Sequence, residues 1–167
     1  MTDDVSDTAG FDAMPDDLAT RALLDCCSSP AFARAVLAGR PYRTAEDLLV
    51  AADAALAALP ESELDRALSG HPRIGARPRS DASAREQAGV ADAGDSVKLA
   101  LAEGNRAYEE KFGHIYLVCA SGRSGAELLE LLTTRLGNDP ATERRIMRAE
   151  LGKINRIRLR RLLADLA

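Results

Sequence analysis

Apolar residues in this chain recur at helical spacing, in stretches punctuated by Ser, Thr, Pro and Gly. Pro15 followed by Asp16 and Asp17 predicts a helix start, with acids at the positive end of the helix dipole. That helix carries Leu18, Ala22 and Leu23 and runs to about Cys27. Ser29-Pro30 opens a second helix, which Gly39 and Pro41 close. Thr44 with Glu46 and Asp47 starts a third, rich in Ala and Leu, and Pro60 starts a fourth through Leu64 to Leu68. Residues 1–13 read as a disordered acidic lead, which leaves 14–167 as the folded domain.

Residues 69–82 change character: prolines, glycines and arginines crowd a stretch with a single large apolar side chain, the composition of a loop. The helical pattern resumes at Ser83, is interrupted at Gly89 and Gly94, and then holds over about 95–111. Ile115 to Val118 is the one β-like run, too short and isolated for a sheet, and reads as an extended buried segment. Ser124 begins another helix ending near Gly137; Asn138-Asp139-Pro140 turns the chain into a last helix reaching about Leu166. The pattern predicts an all-α, single-domain bundle of about eight helices with one short extended buried segment.

Composition supports that picture. Apolar residues make up 46% of the chain but aromatics only 4%, and Trp is absent, so the core must be built from Leu, Ala, Ile and Val. The net charge of −4 gives no global basic character for nucleic acid. Three cysteines, two of them adjacent, suit neither a disulfide framework nor a metal site; they read as reduced thiols in a cytoplasmic protein. No apolar run is long enough for a membrane span, and the acidic first residues do not resemble a secretory signal.

Candidate chemistry is sparse. His71 and His114 are the two histidines. His71 lies in the Gly/Pro loop, away from any apolar stripe, where a side chain able to move protons near neutral pH has two readings: an ordinary surface residue, or a catalyst held by a rigid scaffold. Ser83, Glu86 and Gln87 share one helical face, either as a polar cluster or as a capping box begun by Ser83. In the last helix, at about 100° per residue, Met147, Leu151, Ile154 and Leu162 form a stripe with Arg158 in its middle, while Arg156 and Arg160 point away and Leu159 and Leu163 lie off the stripe. An arginine so placed finds an anion or reaches solvent along its stem. A thiol–imidazole pair of Cys119 and His114 has no local support, and there is no metal-ligand spacing or phosphate loop.

GHPRIG at 70–75, SAREQAG at 83–89, NRAYEEKFG at 105–113, IYLVCA at 115–120 and the tail RLGNDPATERRIMRAELGKINRIRL at 135–159 occur in the order found in 2-oxo-4-hydroxy-4-carboxy-5-ureidoimidazoline decarboxylases, and the chain resembles that family over about residues 11–166. The resemblance implies an all-α enzyme, often dimeric, with no metal or organic cofactor, that makes (S)-allantoin in urate breakdown. It places the catalytic histidine on His71 and a neighbouring substrate contact on Pro72. It places further substrate contacts on Ser83, Ala84, Arg85, Glu86 and Gln87, with Glu86 the acidic partner of His71. A substrate-facing extended segment falls on Tyr116, Leu117, Val118, Cys119 and Ala120, and the family arginine on Arg158. The chain departs from the family pattern at His114, where Phe is common, and in a short stretch between Gly75 and Ser83. The implied partner is the small-molecule substrate and a second copy of the chain, with neither nucleic acid nor membrane. A helical binding module built on the arginines of the last helix is the competing reading, opposed by the acids among them and by the net charge.

Overall fold

The structure is a computed structural model that describes residues 6–77 and 80–167. Among the described residues the chain forms ten helices and no strand: α1 (Ser6–Asp12), α2 (Asp16–Cys26), α3 (Pro30–Ala38), α4 (Ala45–Ala57), α5 (Glu61–Ser69), α6 (Asp81–Glu86), α7 (Ala88–Ala91), α8 (Asp95–Phe112), α9 (Gly125–Leu136) and α10 (Pro140–Leu166). Their ends follow local capping chemistry. Ser29 Oγ accepts the Phe32 N–H at 3.1 Å and Thr44 Oγ1 accepts that of Asp47 at 3.0 Å. Ser124 and Glu127 cap α9 reciprocally, and Gly113 ends α8 at φ +77°, a left-handed conformation that favours glycine.

The chain divides into two compact units. Of the described residues, those up to 70 together with 152–167 form the first and those within 71–151 the second, so α10 contributes to both. In the first unit α3 packs against α2 and α4, burying Leu23, Phe32, Val36, Leu48 and Leu49. In the second, α8 packs along α9 around Leu101, Tyr108, Leu128 and Leu132.

Three expectations change. Of the lead expected over 1–13, residues 1–5 lie outside the described residues, but Ser6–Asp12 is helical. Phe11 and Thr8 are fully buried there: Thr8 Oγ1 donates to the Tyr42 carbonyl at 2.9 Å and Arg40 donates to the Phe11 carbonyl at 2.8 Å, interactions that outweigh the acidic composition. Second, α6 begins at Asp81 with Ser80 as its cap, accepting the Ser83 N–H at 3.1 Å, so Ser83 lies inside the helix and starts no capping box. Third, the buried face of α10 leaves the expected stripe near its end. Leu159 and Leu163 are buried while Leu162 is half-buried, because a helix that serves two cores need not keep one face throughout.

Candidate active site

Everything nominated from the sequence except Arg158 lies in the second unit. His71 follows the end of α5 and is 7% exposed, so it is a buried histidine and not the surface loop residue its Gly/Pro context suggested. Its neighbour Pro72 is buried too. The loop behind it is tied down at three points. Asn105 Nδ2 on α8 donates to the Ile74 carbonyl at 2.8 Å. Gln87 Oε1 accepts the Gly75 N–H at 3.0 Å, and its Nε2 lies 3.5 Å from the Arg73 carbonyl. Arg73 pairs with Glu109 of α8 at 2.8 Å. Gly75 takes φ +86°, so the bend favours glycine.

The motif at 83–87 divides by face. Ser83, Glu86 and Gln87 are buried, whereas Ala84 and Arg85 point to solvent. The Gln87 amide is committed to the loop that follows His71, a holding role that spacing alone did not reveal. Ser83 Oγ accepts from the Ser80 hydroxyl at 3.1 Å. A groove of about 350 Å³ lies between this loop and α8, lined by Arg73, Ile74, Lys98, Asn105, Arg106 and Glu109; no nominated residue lines it.

Residues 116–120 form neither helix nor strand, and Tyr116, Leu117, Val118 and Ala120 are buried. Tyr116, Val118 and Ala120 join one apolar cluster and Leu117 and Cys119 do not, the alternation of an extended chain. Arg135 of α9 donates from Nη1 to the Leu117 carbonyl at 2.6 Å. Glu150 Oε1 accepts the Cys119 N–H at 3.3 Å, and Arg123 Nε donates to the Cys119 carbonyl at 3.3 Å. Arg135 is itself buried and paired with the fully buried Glu143 at 2.7 Å, which also accepts from the Tyr108 hydroxyl at 2.6 Å and from Asn138 at 2.9 Å. Burial pushes the Tyr116 phenol up to about 12 against the pull of the Arg135 charge. Sequence reading placed Asn105, Tyr108 and Arg135 in motifs but gave them no role. His114 stays local: its Nδ1 lies 3.0 Å from the Ile115 carbonyl oxygen and its ring stacks on Phe112.

In the first unit Arg158 is 9% exposed and its Nη1 donates to the Cys26 carbonyl at 3.3 Å. Burial raises the pKa of the nearby Cys27 thiol, opposed by hydrogen bonds and by the Arg158 charge. Arg156 and Arg160 behave differently: Arg156 grips Asp53 at 2.6 Å and Arg160 reaches Glu46 at 3.6 Å. Among the described residues no group of three or more His, Cys, Asp or Glu could hold a metal ion, and no helix is long and apolar enough to cross a membrane.

These features describe an all-helical protein with a buried histidine at the start of a pinned loop and, in the same unit, a non-helical segment whose peptide groups are held by side chains. The family model for OHCU decarboxylase matches residues 12–160, and the chain belongs to that family of carboxy-lyases. It is 32% identical over 143 residues to the 2-oxo-4-hydroxy-4-carboxy-5-ureidoimidazoline decarboxylase of Amia calva, covering 80% of this chain and 81% of that one. It is 34% identical over 150 residues to the uric acid degradation bifunctional protein TTL of Arabidopsis thaliana, covering 85% of this chain but only 46% of the plant protein. Among solved structures, that of an OHCU decarboxylase in the presence of (S)-allantoin superposes with a TM-score of 0.79 at 31% identity, covering 91% of this chain and all of that one. An (S)-allantoin synthase with a TM-score of 0.70 at 17% identity, covering 89% of this chain and 51% of that one, shares the fold.

Proposed function

We propose that this protein converts 2-oxo-4-hydroxy-4-carboxy-5-ureidoimidazoline to (S)-allantoin and CO2 in urate degradation, without metal or organic cofactor and with His71 as the proton-transfer group. The observation that carries this reading is the burial of His71 and Glu86 in one small unit, on a loop and helix joined by Gln87. Burying polar side chains is costly, and active sites are among the places where a fold keeps titratable groups out of water.

The reaction needs an electron sink, and the substrate carries one in the C=N bond next to the carboxylated carbon. When the bond to the carboxylate breaks, its electron pair forms a double bond to the former imine carbon. The imine electrons move to nitrogen, which takes up a proton. The hydroxyl left on the reacting carbon then loses its proton as the former imine carbon gains one, giving the lactam carbonyl and the new stereocentre. His71 moves one of these protons, Glu86 orients it, and delivery to one face of the ring sets the S configuration. Main-chain groups of residues 116–120 hold the ring and ureido group, with Pro72, Ser83 and Gln87 bounding the same site. The resemblance makes Arg158 a substrate contact as well, and its planar fork suits a carboxylate or a ureido oxygen. On this reading the protein works as a homodimer and binds no nucleic acid; two of the α10 arginines, Arg156 and Arg160, already pair with Glu46 and Asp53.

The test is to generate the unstable substrate in situ from urate with two upstream enzymes and to follow optically active allantoin. Chelated, dialysed protein should accelerate its formation as well as untreated protein does. Loss of activity that one added metal restores would overturn the cofactor-free reading, and no acceleration at all would overturn the reaction.

A further inference from the structure

We infer that Arg135 is a positioning residue for the substrate: by holding the Leu117 carbonyl it keeps the N–H and C=O of Val118 on the opposite edge of the extended segment, as a donor–acceptor pair for a cyclic ureide. The inference rests on the proposed function, in which residues 116–120 hold the ring.

The geometry is a matter of peptide chemistry. A trans peptide points its C=O and the following N–H in opposite directions. In an extended chain the N–H and C=O of one residue share an edge, and the next residue presents its pair to the other. Leu117 and Cys119 therefore share an edge, and side chains occupy it: Arg135 on the Leu117 carbonyl at 2.6 Å, Glu150 on the Cys119 N–H at 3.3 Å and Arg123 on the Cys119 carbonyl at 3.3 Å. Tyr116, Val118 and Ala120 share the other edge. The N–H and C=O of Val118 meet no hydrogen-bond partner among the described residues, although Val118 itself is buried. A buried peptide with both groups unused is costly unless a ligand or ordered water supplies the bonds. An adjacent N–H and C=O, as in an imidazolidinone or ureido group, is the complementary pattern.

Arg135 suits this task. Its guanidinium is fixed by Glu143 at 2.7 Å and lies 4.8 Å from the centre of the Tyr116 ring, so it holds the segment through both the Leu117 carbonyl and the residue before it. An ammonium cannot make the planar fork that reaches Glu143 and Leu117 together.

Arg135→Lys should raise KM about tenfold, the scale of a lost hydrogen-bonding pair, with kcat changed by less than about threefold. Tyr108→Phe removes the hydroxyl from the same buried ion pair but leaves the Leu117 contact; it should lower the melting temperature and leave KM alone. Should Arg135→Lys fail to fold, Arg135→Gln combined with Glu143→Gln removes the stray buried charge and should show the same rise in KM. Activity is not the only readout. Hydantoin, a simple cyclic ureide, should shift the Val118 amide resonance in the wild-type protein and not in the Arg135 variant. A folded Arg135 variant with wild-type KM and Val118 response overturns the inference, as does a Tyr108→Phe KM that rises equally. Wild-type protein that turns over no substrate overturns the proposed function instead. The hydantoin response then decides alone: present in wild type and lost in the variant, it upholds the positioning role; absent in wild type, it overturns it.

Discussion

His71 is assigned the proton transfer, and its burial decides how that assignment is tested. Truncation to Ala would leave a void beside Pro72, so His71→Asn, which keeps polarity and most of the volume, is the cleaner probe. It should lower kcat/KM by about 10²-fold or more, the usual scale for a general acid–base group, with a melting temperature close to wild type. Near-normal turnover would remove His71 from the mechanism. Arg158 is tested by comparison with its neighbours on the same helix. Arg158→Lys should cost about 1.5–3 kcal/mol in transition-state binding, the range for a charged hydrogen bond. Arg156→Lys and Arg160→Lys alter surface pairs with Asp53 and Glu46 and should change kcat/KM little. Equal effects in all three variants would deny Arg158 a special role.

At the scale of elements, the second unit depends on close approaches that leave no room for a side chain. A Cβ on Gly89 in α7 would overlap the carbonyl oxygen of Arg123, just before the cap of α9. A backbone carbonyl there cannot step aside without moving the cap, so Gly89→Ala should destabilise the protein by about 1–3 kcal/mol in urea unfolding, the usual cost of overpacking. A Cβ on Gly104 in α8 would meet the Leu132 Cδ2 at 2.5 Å, the end of a flexible side chain. Gly104→Ala should therefore cost less, because Leu132 can change rotamer and alanine favours the helix. The reverse order would show that the α7–α9 approach is softer than its geometry.

For the whole molecule, alkaline pH is the informative stress. The chain has three tyrosines, and all three have phenol pKa values raised chiefly by burial: Tyr42, Tyr108 and Tyr116, the last to about 12. The Cys27 thiol is raised for the same reason. A group whose pKa is higher in the folded state holds its proton longer there, so the unfolded chain loses protons first and stability falls as pH rises. The contribution is complete below the unfolded values, about 8.5 for cysteine and 10 for tyrosine, and is lost as pH climbs through the folded ones. Native protein at about pH 10.5 should thus show less tyrosinate absorbance than urea-unfolded protein at the same pH. Its urea midpoint should fall between about pH 9 and 11. A native titration curve that overlays the unfolded one would contradict the buried, hydrogen-bonded phenols.

The order and type of the elements were legible in the sequence because helix ends are local chemistry. Ser29, Thr44 and Ser124 cap the helices they were expected to begin, and Gly39 and Gly137 stand at their ends. The oddity of Arg158 was legible too, since an arginine among apolar neighbours breaks a helical pattern that needs no tertiary information to draw. The burial of His71 was not: one residue flanked by Gly and Pro looks the same in solvent as in a core, and only packing removed it from water. The division of Ser83, Ala84, Arg85, Glu86 and Gln87 into inward and outward faces followed from where α6 starts, which Ser80 sets. The roles of Asn105 and Arg135 depend on carbonyls 31 and 18 residues away along the chain. Spacing describes neighbours within an element; the desolvation of a charge and the edge of a peptide it grips depend on partners that only the folded chain brings within reach.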